Sequence, residues 1–453
     1  MKKINIVLML VLMSTMVMAQ TSVWHGGRSV WTHGSGTEGD PFLIESADNL
    51  AYLSYVVGKG FDTSGLHFLL TTDIDLNGSE DQPWVPIGLG DRYFSEDGCD
   101  RGKIITVGTP TFHGHFDGGE HSISNIYVDS EDGNCGLFGC AYGVNVDSMA
   151  VIENVFVTNG FIKGSDCGGI LGKCLRFVLV SRCWNGATIE GGDVGGIVGK
   201  GHNSAKVYNC YNTGNLSGSN VGGIAGNSAK EIIECYNEGN ITASSFGGGI
   251  VGGNVGRAVI DNCYNTASVS AIGELGNIYS AAGGLLGCGI FDSITNCYSI
   301  GEVSGNNYYG CLIGNNRSNI FVGNSYYLNT CTESEFGDSK SEEYMRSQEF
   351  VDYLNGGSRT PVWSMDEENV NDGFPILAKN NLAVEESSAP AFNVYPNPAQ
   401  GQFVVEGVGK MVVSNLLGQI ILIREIDGQT TVALPSGMYF VKLGNETQKV
   451  VVK

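Results

Sequence analysis

Two short motifs return in step through the middle of this chain, and a shared period of that kind leaves few folds open. The first is rich in glycine: GGILG at 168–172, GGIVG at 195–199, GGIAG at 222–226, GGIVG at 248–252, GGLLG at 283–287 and a degenerate GCLIG at 310–314. Their first residues lie 27, 27, 26, 35 and 27 positions apart, with a weaker start in CGLFG at 135–139. The second motif couples a cysteine to an aromatic: RCWNGA at 182–187, NCYNTG at 209–214, ECYNEG at 234–239, NCYNTA at 262–267 and NCYSIG at 296–301. A third piece follows it, as in GNLSG at 214–218, GNITA at 239–243 and GEVSG at 301–305.

Pieces this short, rich in Val and Ile and bounded by turn residues, read as strands. Glycine makes up 67 of the 453 residues, and each would cost a helix about 1 kcal/mol. Three strands per period predict one turn of a parallel β-solenoid, running from about residue 110 to 330. A single turn cannot bury its apolar face, so neighbouring turns stack into one core. Stacked strands lie about 4.8 Å apart, which turns each sequence slot into a ladder along the axis. The longer period holds IGELGNIYSA at 272–281, expected to bulge out of one turn.

Cys183, Cys210, Cys235, Cys263 and Cys297 occupy one slot, once per turn. Zinc sites gather cysteines in tight pairs, which this spacing does not offer. Disulfides along the ladder are compatible with an oxidising export route and with Cα atoms about 4.8 Å apart. Against them stand an odd total of 13 cysteines and Cβ vectors that run parallel. Packing is the favoured role, with cysteine as a small apolar residue. The aliphatic residues three places earlier, Val180, Val207, Ile232, Ile260 and Ile294, agree with it. Parity leaves open whether the cysteine or the following aromatic points inward. Asn185, Asn212, Asn237 and Asn265 are expected at corners, because Asn tolerates left-handed backbone.

The run GGIVG…NCYNTGNLSG resembles the GLUG repeat of bacterial surface proteins, also found in non-catalytic parts of some immunoglobulin-cleaving peptidases. Upstream, GSGTEGDPFLIESADNLAYLSYVV (34–57), FLLTTDIDLNG (68–78), WVPIG (84–88) and FDGGEHSISNIYV (116–128) are similar to the portion that precedes such repeats. Downstream, NSYYLNT (324–330), EFVDYLNGG (349–357) and GFPIL (373–377) are similar to the closing segment. The resemblance implies a right-handed parallel β-helix on a secreted or surface-attached protein, and no conserved reaction.

The chain opens MKKINIVLMLVLMSTMVMAQ, whose Lys2, Lys3, apolar run and Val17-Met18-Ala19 predict a signal peptide over 1–19. No later apolar run reaches the roughly 20 residues that span a bilayer, so no transmembrane segment is expected. Residues 20–110 are expected to hold an N-terminal cap and the first solenoid turns, 111–330 the repeats, and 331–381 a C-terminal cap. Ser46 is a helix N-cap before Leu50, Leu53, Val56 and Val57; Ser341 is another, with Met345 and Phe350 as anchors and Gly356 as stop. Both short helices read as lids on the open core.

After an acidic linker at 382–390, residues 391–453 alternate apolar positions with turn signals, which predicts a small Ig-like β-sandwich. The YPNP of Tyr395, Pro396, Asn397 and Pro398, the LLGQ at 416–419, and LPSGMYFVK at 434–442 with Gly437 and Tyr439 closely resemble one known module, as does a terminal strand ending at Lys453. It is the type A C-terminal sorting domain of the type IX secretion system. That resemblance implies a Gram-negative host of Bacteroidota type, engagement of the type IX machinery, and a passenger secreted or attached to the outer surface.

Charge narrows the partners further. Only 25 basic residues face 47 acidic ones, and a net charge of −22 repels nucleic acid and anionic membranes. Two groups are candidate metal ligands. Asp73, Asp75 and Asn77 copy the start of a calcium loop, although Trp84 stands at its twelfth position and Ile74 and Leu76 alternate like a strand. His113, His115 and Asp117 share one face of an expected strand and could take zinc or copper. No cofactor and no catalytic constellation are expected. Lys200, Lys206, Lys230 and Arg257 are sparse in the repeats, and carboxylates recur in no ladder slot. The expected function is non-enzymatic adhesion or binding of a glycan or host protein. The alternative is a polysaccharide-degrading β-helix enzyme, a lyase or glycoside hydrolase, which an exposed carboxylate cluster beside Lys or Arg would favour.

Overall fold

The computed structural model describes residues 21–89, 110–130, 133–202, 204–253, 256, 258–273, 280–290, 293–318, 320–331, 334–356, 361–378, 392–395, 399, 401–415, 420–435, 437–443 and 446–453. The expected leader at 1–19, the linker at 382–390, the LLGQ at 416–419 and Pro396, Asn397 and Pro398 lie outside the described residues. The chain divides into two compact units, 1–380 and 381–453.

The first unit is a parallel β-helix. Its turns contribute to four long parallel sheets, one more than the three expected. One turn runs Val178–Ser181, Trp184–Asn185, Thr188–Gly195 and Val198–Lys200. The next matches it in register, with Val180 opposite Val207, Asn185 opposite Asn212, Val194 opposite Val221 and Val198 opposite Ala225. The extra corner falls inside the glycine motif. Val194 and Val198 read as one apolar piece, yet the chain bends at Gly196 and Ile197, so both valines are buried in the core from different sheets.

Inward aliphatics form continuous ladders: Val180, Val207, Ile232, Ile260 and Ile294 are all buried. Burial of each such side chain stabilises by about 1.5–3 kcal/mol relative to leaving it in water. The long period behaves as an interruption of one strand slot. Val269–Ala271 and Ala281–Gly283 both pair with Ile241–Gly248, and residues 274–279 of the expected bulge at 272–281 lie outside the described residues.

The β-helix begins before the repeats. Phe42–Ile44, His67–Leu70 and His115–Asp117 are successive strands of one sheet. Helix α1 (Ala47–Gly58) is capped by Ser46, whose hydroxyl accepts from the Asn49 N–H at 3.2 Å, and it buries Leu50, Leu53 and Val57 in the same core.

The second cap differs from the expected lid. Helices α2 (Glu342–Met345) and α3 (Gln348–Leu354), capped by Ser341 and Ser347, pack against a flank. Met345, Phe350, Leu354, Trp363 and Phe374 form a cluster of their own with Tyr264, Tyr298 and Tyr326. The physical reason is that these outward tyrosines offer the apolar surface the helices need. The Trp363 ring lies 5.9 Å from Tyr264 and 5.5 Å from Tyr298, and its Nε1–H donates to Asn262 Oδ1 at 3.0 Å. Trp363→Ala should therefore cost about 3–5 kcal/mol. Because solenoid coupling is between neighbours, hydrogen exchange should accelerate over 341–377 while 120–200 stays protected.

The second unit is one antiparallel sheet of Asn393–Tyr395, Gln402–Asn415, Ile420–Ala433, Gly437–Leu443 and Glu446–Val452. Phe403, Val405, Met411, Val413, Val441 and Val450 from one face gather into a single cluster, as they do when a sheet closes over itself like a sandwich.

Candidate functional site

The cysteine slot is a built bend. The residue before each cysteine, whether Arg182, Asn209, Glu234, Asn262 or Asn296, is left-handed with φ between 51° and 54°. Left-handed backbone thus falls before the cysteine and not at the later Asn as expected. This kink resets the side-chain alternation, so Val207 and Cys210 both point inward and the aromatic points out. Each thiol donates to the carbonyl two residues back, at 3.2 Å for Cys183 and Cys210. Cys210, Cys235 and Cys297 also accept the N–H of the preceding turn's cysteine, at 3.4 Å from Cys183 N, 3.4 Å from Cys210 N and 3.3 Å from Cys263 N. In the last turn Ser325 takes the slot and makes the same two bonds, to Gly323 O at 2.9 Å and from Cys297 N at 3.3 Å. Burial pushes the Cys183, Cys235 and Cys297 thiols well above their ordinary range, which keeps them protonated and poor nucleophiles.

Asn185, Asn212, Asn237 and Asn265 are fully buried and form a second ladder. Asn212 Nδ2 donates to Gly214 O at 2.9 Å and to Asn237 Oδ1 at 2.8 Å; Asn237 repeats this with Gly239 O at 2.9 Å and Asn265 Oδ1 at 2.8 Å. Against each amide lies the second glycine of the other motif. A Cβ on Gly196 would lie 2.4 Å from Asn212 Cγ, and one on Gly223 would lie 2.4 Å from Asn237 Cγ. The two motifs keep step because they interlock.

On the outside, Phe156, Trp184, Tyr211, Tyr236, Tyr264, Tyr298 and Tyr326 share one column. From Trp184 to Tyr298 the rings stack face to face, with centroids 4.7–5.7 Å apart and planes within 12°. Their faces cover one another, so the column presents ring edges and supports the cap.

Carboxylates do recur in a slot, contrary to expectation: Asp166 stands opposite Asp193, and Lys173 opposite Lys200. Lys173 Nζ lies 3.2 Å from Asp166, and Lys200 Nζ lies 3.1 Å from Asp193 and 4.0 Å from Asp166. The pattern is hidden in sequence because Asn220 and Asn227 fill the same slots one turn on. Burial opposes the Lys200 charge, yet the two carboxylates hold it above its ordinary range. Asp166 and Asp193 are buried and paired, so the cluster is an internal ion-pair ladder and not an open acid–base site.

Among the described residues, two of the surface clefts of this unit bear on a site. The first, of about 460 Å³, is lined by His67, His113, His115, Tyr142, Val144 and Val146 among others. His67 and His115 are register partners on adjacent turns, with ring centroids 4.8 Å apart. His115 Nε2 lies 2.6 Å from Glu153 Oε1, and Glu153 is also held by Arg182. The His115 hydrogen bond, helped by Arg182, keeps the Glu153 carboxyl below its usual range despite burial. Burial and the neighbouring His115 push His67 down, and burial does the same to His113.

The expected trio does not converge. His113 Nε2 engages Thr111 Oγ1 at 2.6 Å, while Asp117 Oδ1 accepts from Gly119 N at 2.9 Å and Asn154 Nδ2 at 2.8 Å. Nor do Asp73, Asp75 and Asn77 close a loop. Asp73 accepts from Ser122 N at 2.8 Å, Asp75 accepts from Asn77 N at 2.7 Å and Asn125 Nδ2 at 2.9 Å, and Ile74 and Leu76 are buried between them. Among the described residues, no three His, Cys, Asp or Glu side chains are placed to hold one metal ion. His67 escaped sequence reasoning because only the register of two turns brings it to His115.

The second cleft, of about 390 Å³, is lined by Glu302, Tyr309, Tyr327, Thr330 and a disulfide between Cys311 and Cys331. Cysteine pairing was open in the sequence; this bridge joins residues outside the ladder slot, with Cα atoms 5.9 Å apart.

In the second unit the Tyr395 hydroxyl accepts from Gln429 Nε2 at 2.9 Å, the Tyr439 hydroxyl donates to Pro435 O at 3.1 Å, Gly437 opens a strand, and Lys453 N donates to Ala399 O at 2.8 Å. Residues 393–453 match the family model of the secretion system C-terminal sorting domain. A sorting tail of this type IX kind sends its chain to the exterior, secreted or on the outer surface, and implies contact with the secretion machinery. No helix among the described residues is long and apolar enough to cross a membrane.

Across 155 residues the chain is 29% identical to a "Putative Gly-rich membrane protein" of Evansella cellulosilytica, covering 33% of this chain and 15% of that protein. Across 164 residues it is 31% identical to "Halomucin" of Haloquadratum walsbyi, covering 33% of this chain and 2% of the other. The chain thus spans a small part of the curated relatives it matches. A crystal structure of a "putative immunoglobulin A1 protease" from Bacteroides ovatus aligns with a TM-score of 0.49 at 21% identity, over 76% of this chain and 94% of that one.

Proposed function

We propose that the chain is a GLUG-repeat surface protein, a non-enzymatic β-helix that is exported by the type IX route and binds a glycan. Residues 1–19 are its signal peptide, 20–110 the cap and first turns, 111–330 the repeats, 331–381 the flank-packed closing segment, 382–390 the linker and 391–453 the sorting module. The observation that carries binding is the cleft beside the Cys311–Cys331 bridge. There the exposed Tyr309, with Tyr327, supplies ring surface next to the polar Glu302 and Thr330. Ring faces suit the C–H side of a sugar, while a few placed polar groups fix its hydroxyls. Enzymatic depolymerisation is the weaker reading, because the carboxylates that share a slot are buried against lysines. A glycan array probed with residues 20–453 tests the proposal. Binding to a restricted set of glycans, lost at least tenfold in Tyr309→Ala, is the expected result. Release of new sugar ends from a polysaccharide, or binding indifferent to Tyr309→Ala, contradicts it.

A further inference from the structure

We propose that His67 and His115 form a two-imidazole site for a borderline divalent cation, zinc or copper(II), on the outer face of the first turns. Zinc takes an imidazole nitrogen at about 2.0–2.1 Å, so two ligating rings at a tetrahedral angle hold their centroids about 5 Å apart. The two rings stand 4.8 Å apart already, on parallel strands that fix their register.

The second observation is Glu153. Metal-bound imidazoles commonly place their other nitrogen on a carboxylate, which sets the tautomer and strengthens the donor. His115 Nε2 lies 2.6 Å from Glu153 Oε1, which leaves Nδ1, on the other side of the ring, for the metal. Arg182 anchors Glu153 in turn. The rings open into the cleft of about 460 Å³, so the remaining coordination positions go to water or to donors of an incoming molecule. Imidazole suits zinc and copper, whereas calcium and magnesium prefer oxygen. The bound cation ties the strand at 67–70 to the strand at 115–117, on two successive turns of the β-helix.

The test is zinc competition against a chromophoric chelator, using tag-free residues 20–453. One zinc per chain is expected. His67→Ala and His115→Ala should each weaken binding at least tenfold, and Glu153→Gln by about tenfold. His113→Ala and His33→Ala should change it by less than twofold. Zinc should raise the melting temperature of the wild type but not of His67→Ala, and the metal-free variants should melt like the parent. No saturable binding, or binding that depends on His113 and not on His67, overturns the site.

Discussion

Gly223→Ala should destabilise the β-helix by about 4 kcal/mol or more, a loss at the extreme of single substitutions. The added Cβ would lie 2.1 Å from Gly249 O, 2.4 Å from Asn237 Cγ and 2.5 Å from Asn237 Cβ. None of these neighbours can yield cheaply. Gly249 O belongs to the backbone of the next turn. Asn237 is buried, donates to Gly239 O and Asn265 Oδ1, and accepts from Asn212 Nδ2. Moving it strands polar groups on both sides, and each unmade buried bond costs about 1–3 kcal/mol. Left-handed backbone has no part in this, since Gly223 does not adopt a positive φ. A Cβ added at Gly39 would meet nothing within 4 Å, so Gly39→Ala should fall within about 0.5 kcal/mol of the parent. Thermal melts followed by circular dichroism compare the two; equal melting would show that the glycine–asparagine interlock is unimportant.

The parallel stacking was legible because two independent motifs kept one period. The fourth sheet was not, since the bend at Gly196 and Ile197 leaves the run Val194 to Val198 unbroken in polarity. The direction of Cys210 was hidden for a related reason. Simple alternation from Val207 fails across the left-handed Asn209, and nothing in the composition marks that residue, because Arg182 and Glu234 do the same work. Helix α1 and its Ser46 cap were readable from local pattern. The place of α2 and α3 was not, because their partner surface, the Tyr264–Tyr326 column, exists only after the turns have stacked. The paired histidines are of the same kind: 48 positions separate His67 from His115, and only register unites them.

Deleting residues 391–453 should leave the passenger folded but stranded in the periplasm. The physical reason is that each unit has apolar clusters of its own, the main one running from Trp24 to Ile320 in the first and from Phe392 to Val452 in the second. Strand pairing also differs, parallel in the four long sheets of the one and antiparallel in the sheet of the other. Domains with separate cores tolerate separation, so the truncated chain should melt like the β-helix of the full-length protein. The functional reason is the family match over 393–453, which is where a sorting signal must lie.

Fractionation of cells carrying full-length or truncated protein, with protease added to intact cells, measures this most directly. The full-length passenger should be found at the surface or in the medium, open to protease, while the truncated one should be soluble, folded and protected in the periplasm. Truncated protein reaching the exterior in full amount would contradict the assignment of export to the C-terminal module.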